Sequence, residues 1–259
     1  MGLNRYFVPN LPITGSIELS SEEAHHALRV RRETVDGICV AFDGRGHVAI
    51  CRIIRTTKRD VTIEVESYRF EPNEPSGRIQ LAVAMPRGDR QRGVIEKAVE
   101  LGVHELVPIV CQRSVGLPND SALEKWERAV VEACKQCERN RLMTISELCS
   151  FESFIQSESS DDLNEAGTLR MFAHPQESIF DANEKRISFC DRIDNRILKI
   201  AIAIGPEGGF TKDEVKLAID AGLRRLDLGP RILRVETAVC AASFYASLCM
   251  QKKSHDANA

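Results

Sequence analysis

Two turns carry the residues best suited to chemistry, and both contain glycine. Residues 204–210 read Ile-Gly-Pro-Glu-Gly-Gly-Phe, between an apolar strand pattern and the pattern of a capped helix. Residues 228–238 read Leu-Gly-Pro-Arg-Ile-Leu-Arg-Val-Glu-Thr-Ala and precede the last helix pattern. Glycine lets a ligand approach the backbone closely, and free N–H groups at a helix start bind polar groups. Either turn alone could be a structural connection, but two turns after neighbouring strands predict one ligand crevice.

Other kinds of site have weaker support in the sequence. The dinucleotide pattern GxGxxG after a first strand and the phosphate-binding pattern GxxxxGK[ST] are both missing. Cys134 and Cys137 form one CxxC within a helical pattern, whereas a structural zinc site needs about four ligands. We therefore expect no metal and interpret the cysteines as core or surface thiols. A thiol or metal protein built on this pair remains an alternative.

Composition and charge limit the partners. The chain of 259 residues has 35 basic and 38 acidic side chains, and residues 142–169 contain six acids without Lys or Arg. Outside that stretch the chain is mildly basic, which fits a nucleic-acid partner without requiring one. No apolar run approaches the length of a membrane span, and the first residues lack a secretory layout. We predict a soluble, cytoplasmic protein without a membrane partner.

The chain divides into a strand-rich part and a part in which strands and helices alternate. Residues 38–42, 48–51 and 61–66 read as strands, 43–46 as a hairpin turn and 21–30 as a short helix. The Pro- and Gly-containing stretch 71–77 reads as a linker, which predicts domains at 1–73 and 78–259.

In the second part, segments with the two-residue period of strands alternate with segments that have the 3.6-residue period of helices. Strands are expected at 79–85, 105–110, 168–173, 199–204 and 226–228, and helices at 89–101, 121 onwards, 211–222 and 235–250. This order predicts an α/β domain with a parallel sheet covered on both faces. The acidic, serine-rich residues 146–167 read as a surface loop or a poorly ordered excursion.

The chain resembles a known family, the SPOUT-class methyltransferases of the RsmE type, which methylate N3 of a uridine in 16S ribosomal RNA. The similarity extends over nearly the whole sequence and is most specific in the two glycine turns together. The other matching segments are 5–8, 25–30, 42–46, 88–90, 97–103, 113–115 and parts of 126–139.

The resemblance implies a PUA-like RNA-binding β-barrel followed by a SPOUT-type parallel sheet with a C-terminal trefoil knot, a rare exception to unknotted topology. It implies S-adenosylmethionine as cofactor, a homodimer as working unit, and ribosomal RNA in the small subunit as partner. By residue-by-residue transfer, the cofactor pocket comprises Phe172, Ala173, His174, Gly205, Pro206, Glu207, Gly208, Gly209, Leu228, Gly229, Ile232, Leu233, Thr237 and Ala238.

Catalytic roles are expected for Arg234 and Glu236 because both lie in the second glycine turn. Methylation of N3 requires removal of its proton or stabilisation of the resulting anion. We expect Arg234 to stabilise that anion and Glu236 to orient it or relay the proton.

RNA contacts are expected from a set of mostly basic side chains: Arg5, Arg29, Arg31, Arg32, Arg45, Arg90, Gln136 and Arg139. For each N-terminal arginine a solvated face is an equal alternative, and for Gln136 and Arg139 the alternative is a surface hydrogen-bonded pair. The spacing of Gln136 and Arg139 places them on one helix face. For the dimer surface we expect the last helix, with Val239, Ala242, Ala246 and Cys249. A non-catalytic RNA-binding module, or a methyltransferase for another RNA position, remains an alternative function.

Overall fold

A computed structural model describes residues 3–115, 120–157, 167–174, 186–187 and 197–251. It divides into two compact units, the first formed by 1–74 with 131–142 and the second by 75–130 with 143–259. The first unit thus takes in residues 131–142, beyond the boundary expected at residue 73.

The first unit is built on a five-stranded sheet of order β1-β3-β4-β5-β2. Its strands are β1 (Arg5–Phe7), β2 (Gly15–Glu18), β3 (Ile38–Phe42), β4 (His47–Thr56) and β5 (Val61–Phe70). β1 and β3 are parallel, and the remaining pairs are antiparallel. The helix predicted at 21–30 is present as α1 (Ser21–His25) with a π-helical turn, His26–Arg31. Among the described strands, no ladder joins β1 to β2.

The predicted hairpin between β3 and β4 is held by the buried Asp43. Its Oδ1 accepts hydrogen bonds from the backbone N–H groups of Arg45 at 2.7 Å and His47 at 3.0 Å. Its Oδ2 lies 2.8 Å from Nδ1 of the His47 ring. Burial raises the pKa of Asp43, but these hydrogen bonds outweigh it and hold the pKa below its ordinary value. Asp43 therefore fixes both the turn and the imidazole that follows it.

Residues 131–142 join the first unit through polar contacts. The Lys135 ammonium lies 3.0 Å from the carboxylate of Glu23, and both side chains are buried. The Arg139 guanidinium, 3% exposed, donates to both oxygens of Glu74 at 2.6 and 2.7 Å. Because buried charges need such partners, this segment belongs to the first core despite its distance in sequence.

The second unit contains a parallel sheet of order β11-β13-β10-β12-β6-β7-β8, with β9 paired to β7. Its strands are β6 (Arg78–Val83), β7 (Glu105–Val110), β8 (Thr144–Ile145), β9 (Cys149–Ser150), β10 (Thr168–Ala173), β11 (Arg186–Ile187), β12 (Lys199–Ile204) and β13 (Arg224–Leu226). All of its pairings are parallel, as the strand–helix alternation predicted.

The remaining helices are α2 (Arg90–Glu100), α3 (Asp120–Cys137), α4 (Phe151–Ser157), α5 (Lys212–Asp220) and α6 (Val235–Gln251). The predicted cap of α5 is confirmed as a complete capping box between Thr211 and Glu214. α4 was wrongly expected to be surface loop. Its Phe154 and Ile155 are each 3% exposed and lie in the core, while residues 158–166 of that stretch lie outside the described residues.

The face of α6 expected to form a dimer surface is instead part of the chain's own core. Val239, Ala242 and Ala246 have no exposed surface, because α6 packs against α2 and β6. The exposed apolar side chains of this helix are Phe244, at 51%, and Leu248, at 41%.

Within the described ranges, no helix has the length and apolar character needed to cross a membrane. Nor do those ranges contain a cluster of three or more His, Cys, Asp or Glu that could hold a metal ion. The Cys134 thiol donates a hydrogen bond to the Arg141 carbonyl oxygen at 3.6 Å. Cys137 is exposed.

Candidate active site

A cleft opens at the carboxyl ends of β10, β12 and β13, where open α/β sheets bind ligands. Twelve of the predicted cofactor residues line it: Ala173, His174, Gly205, Pro206, Glu207, Gly208, Gly209, Leu228, Gly229, Ile232, Leu233 and Ala238. Five further residues also line it: Arg113, Ile204, Phe210, Arg231 and Val235. The two glycine turns therefore form the walls of a single crevice, as their positions after neighbouring strands predicted.

Two predicted cofactor residues lie outside the lining. Phe172 is fully buried in the core beneath the cleft, because side chains alternate between the two faces of a strand. Thr237 is exposed on α6. His174, 7% exposed, does line the cleft, and its ring centroid lies 6.5 Å from that of Phe210.

The glycines have identifiable structural roles in the turns. Gly209 has φ +70° and Gly229 has φ +99°, which other residues rarely adopt. A Cβ at Gly205 would lie 3.0 Å from the Phe210 ring. The Gly229 N–H donates to Asp227 Oδ1 at 2.8 Å, so the second turn is closed by its own strand end.

Arg113 also lines the cleft, although it was not among the predicted site residues. It follows β7, and its guanidinium donates to the Gly208 carbonyl oxygen at 2.8 Å. Its aliphatic stem runs along the same glycine, since a Cβ at Gly208 would lie 3.3 Å from both Cβ and Cδ of Arg113. The segment 113–115 supported the family resemblance, but nothing in its spacing indicated contact with a turn 95 residues later.

A second cleft adjoins the first and is lined by Arg90, Glu207, Ile232, Leu233 and Arg234. It shares Glu207, Ile232 and Leu233 with the first cleft. Arg90, expected to contact RNA, forms an ion pair with Glu207 here. Arg234, the expected catalytic cation, is exposed in this cleft, so a positive group lies directly beside the crevice between the glycine turns.

Glu236 lies in the first turn of α6 and is half-buried. Its Oε2 is buried, with no hydrogen-bond partner among the described residues. Glu236 lines neither cleft. A buried carboxylate oxygen of this kind is costly unless a donor reaches it, which makes it a candidate acceptor for a polar group of a ligand or substrate.

The other expected RNA contacts all lie in the first unit and fall into two groups. Exposed positions are occupied by Arg29, Arg31, Arg32, Arg45 and Gln136. The two remaining arginines, Arg5 and Arg139, bind other side chains within the first unit.

Arg5 donates to Asn140 and lies 5.2 Å from the Phe42 ring centroid, and burial lowers its pKa. Arg139 is buried against Glu74. It does not share a helix face with Gln136, because α3 ends at Cys137 and Glu138 has φ +61°.

Two family models match the chain. An RNA methyltransferase domain matches residues 72–247, and an RNA methyltransferase PUA domain matches residues 19–66. Among curated relatives, the ribosomal RNA small subunit methyltransferase E of Bacillus subtilis is 28% identical, covering 91% of this chain and 93% of that protein. The protein of the same name from Synechocystis sp. is 29% identical, covering 90% and 73%.

Solved structures agree with this assignment. A ribosomal RNA small subunit methyltransferase E from Neisseria gonorrhoeae, bound to S-adenosyl methionine, has a TM-score of 0.80 and 26% identity, covering 93% of this chain and 95% of that one. A Legionella pneumophila methyltransferase in complex with its cofactor has a TM-score of 0.82 and 28% identity, covering 94% and 96%. Since the first family model extends over more than half of the sequence, the chain belongs to the RNA methyltransferase domain family.

Proposed function

We propose that the protein transfers the methyl group of S-adenosylmethionine to N3 of a uridine in the 16S ribosomal RNA of the small subunit. The observation that carries this proposal is the crevice formed by the two glycine turns, with Arg234 in the adjoining cleft. The names of the relatives and the bound cofactor of the structural neighbours support the same reaction class.

The cleft fits the chemistry of this cofactor. It combines apolar side chains, such as Ile204, Phe210 and Leu233, with backbone groups made accessible by glycine. S-adenosylmethionine supplies a methyl group on a positively charged sulfur, so the transfer needs no metal. Arg113 would hold the first turn in the shape that receives it.

The residues of the second cleft, together with Glu236 in the first turn of α6, have roles that follow from the charge developing on the base. Loss of the N3 proton places negative charge on the uracil ring and its oxygens. Arg234 would stabilise that charge as a cation that lies beside the crevice. Glu236 would orient the base or relay the proton, with its buried Oε2 as the acceptor. The Arg90–Glu207 ion pair would form the wall that limits where the base enters.

Four further features belong to the proposal. The parallel sheet and late glycine turns support a C-terminal trefoil knot, and β-rich residues 1–73 support a PUA-like barrel with RNA-binding function. The exposed Phe244 and Leu248 of α6 support a homodimer. A ribosomal RNA substrate supports a cytoplasmic location.

The test of the cofactor site is calorimetric titration of the full chain with S-adenosylmethionine, repeated for Gly208→Val. A valine side chain at this position would collide with Arg113, so we expect micromolar-range binding, about −8 kcal/mol, to be lost. Gly93→Val is the matched control, because a Cβ at Gly93 meets nothing within 4 Å. Binding that survives in Gly208→Val would reject the crevice as the cofactor site. Absence of binding to the wild type would favour a non-catalytic RNA-binding module.

The test of the catalytic assignment is single-turnover methylation of 16S RNA, naked and in assembled small subunits, by Arg234→Ala. We expect a rate reduced by about 10²- to 10³-fold with cofactor affinity unchanged. A near-normal rate would remove Arg234 from the mechanism. Mapping the methylated atom in the same product tests the N3 position independently.

A further inference from the structure

A group of aromatic rings in the first unit has no part in the proposed chemistry of the second. In the antiparallel ladder of β4 and β5, His47 lies opposite Phe70 and Ala49 lies opposite Tyr68. Side chains two apart on a strand share a face, so the three rings are neighbours on one side of the sheet. The His47 and Tyr68 rings are stacked with centroids 5.2 Å apart at 18°, and the Phe70 ring meets His47 edge-on at 5.2 Å.

This aromatic group is held in place from beneath. Asp43 fixes the His47 imidazole through the 2.8 Å contact to Nδ1. Gly46 allows the Phe70 ring to lie against the backbone, because a Cβ there would come within 2.7 Å of Phe70 Cε2. The same turn that positions Arg45 therefore also positions two rings, which is the preorganisation that a binding surface needs.

The outer side of the aromatic group is exposed to solvent. Phe70 is 60% exposed although Tyr68 and His47 beside it are partly covered. Burial of such a ring would be favourable by its area alone. An exposed ring stacked on other rings and joined to a fixed turn is thus a prepared contact surface.

The charge around the rings is predominantly positive. Arg45 and Arg141 are both exposed, and the Arg141 guanidinium donates to the Arg45 carbonyl oxygen at 3.3 Å. Of the nearby acidic groups, Glu71 forms an ion pair with Arg69, and Asp43 is buried and accepts the hydrogen bonds of the turn. Positive side chains next to exposed rings match a nucleotide, which presents a flat base joined to a phosphate.

We propose that His47, Tyr68 and Phe70 form a stacking platform for one unpaired base of the substrate RNA, with Arg45 and Arg141 contacting the adjoining phosphates. The proposal rests on the proposed function only in taking RNA as the ligand. It adds a nucleotide subsite on the first unit, made by aromatic side chains rather than by the arginines of the π-helical turn.

The test uses the full chain and single-stranded RNA oligonucleotides of mixed sequence that carry 2-aminopurine, whose fluorescence is quenched on stacking. We expect the wild type to quench the probe and Phe70→Leu to bind about 5- to 100-fold more weakly, with the quenching lost. Phe70→Tyr keeps a ring and should keep both signals. Ile13→Ala, at an aliphatic residue 68% exposed in the same unit, is the control for loss of apolar surface.

Equal RNA affinity and quenching in Phe70→Leu and wild type would overturn the proposal, as would the absence of quenching by the wild type. If Phe70→Leu and Phe70→Tyr lost affinity alike, the ring would not be acting by stacking and the proposal would also fail. Calorimetric binding of S-adenosylmethionine is measured on every variant. It depends on the second unit, so it separates failure of this proposal from failure of the proposed function.

Discussion

The contact between Arg113 and the first glycine turn gives the most specific prediction for cofactor binding. Arg113→Met keeps an unbranched stem along Gly208 and removes only the guanidinium that donates to the Gly208 carbonyl oxygen at 2.8 Å. The turn then loses its fixed attachment to the segment after β7. We expect it to sample more conformations before the cofactor binds, and binding must then restore the order.

The size of the effect follows from the exposure of the contact. A hydrogen bond to a charged group contributes about 1.5–3 kcal/mol, but Arg113 is exposed and water competes for both partners. A loss of about 1 kcal/mol is therefore expected, which is about a fivefold rise in Kd. Arg113→Lys retains the charge without the planar guanidinium, so its Kd should lie between those of the wild type and Arg113→Met.

Isothermal titration of S-adenosylmethionine at fixed ionic strength measures this change. Arg128→Met is the control, because Arg128 is an exposed arginine on α3 whose ion-pair partner is Glu124, four residues away. A Kd for Arg113→Met within twofold of the wild-type value would show that the turn holds its shape without Arg113, and the positioning role would be withdrawn.

The other predictions concern stability, thiol reactivity and assembly. Arg139→Met should lower the free energy of unfolding of the first unit by about 3–5 kcal/mol in urea titrations, because it leaves the Glu74 carboxylate, 9% exposed, without its bidentate partner; a loss below about 1 kcal/mol would contradict this. Cys137→Ser should remove one equivalent from the fast phase of thiol labelling and Cys134→Ser should not, since burial raises the pKa of Cys134 to about 12; equal losses would be inconsistent with the burial. Phe244→Glu should convert a dimer to a monomer in sedimentation experiments, and an unchanged mass would exclude this face from the interface.

The regular elements were predictable because their patterns are local. The strand β12 appears in the sequence as an apolar run and α5 as a capping box, and the structure has both. The crevice was predictable for a related reason, since glycine turns after parallel strands must meet at one edge of the sheet. Composition alone misled in α4, where acidic and serine residues concealed three apolar side chains that face the core.

Contacts between distant segments could not be read from the sequence. Arg139 and Arg31 are the same residue type with the same charge. Arg139 is nevertheless buried against Glu74, whereas Arg31 is exposed. Only the packing of 131–142 into the first unit distinguishes them. The incorrect prediction of the exposed face of α6 has the same origin, because an apolar helix with small residues on several sides does not indicate which side packs against the core of its own chain.

The composition of the first unit from two separated segments has a consequence for synthesis. A ribosome that has translated residues 1–74 has not yet produced Lys135, Arg139 or Asn140, which complete that unit. Domains usually fold in order as they emerge, but here residues 75–130 of the second unit must be translated before the first can finish. Until then Glu23 and Glu74 have no lysine or arginine from that segment to neutralise them. The nascent chain therefore carries an incomplete N-terminal unit that chaperones would be expected to recognise, and a fragment ending at the linker is a poor substitute for the folded unit.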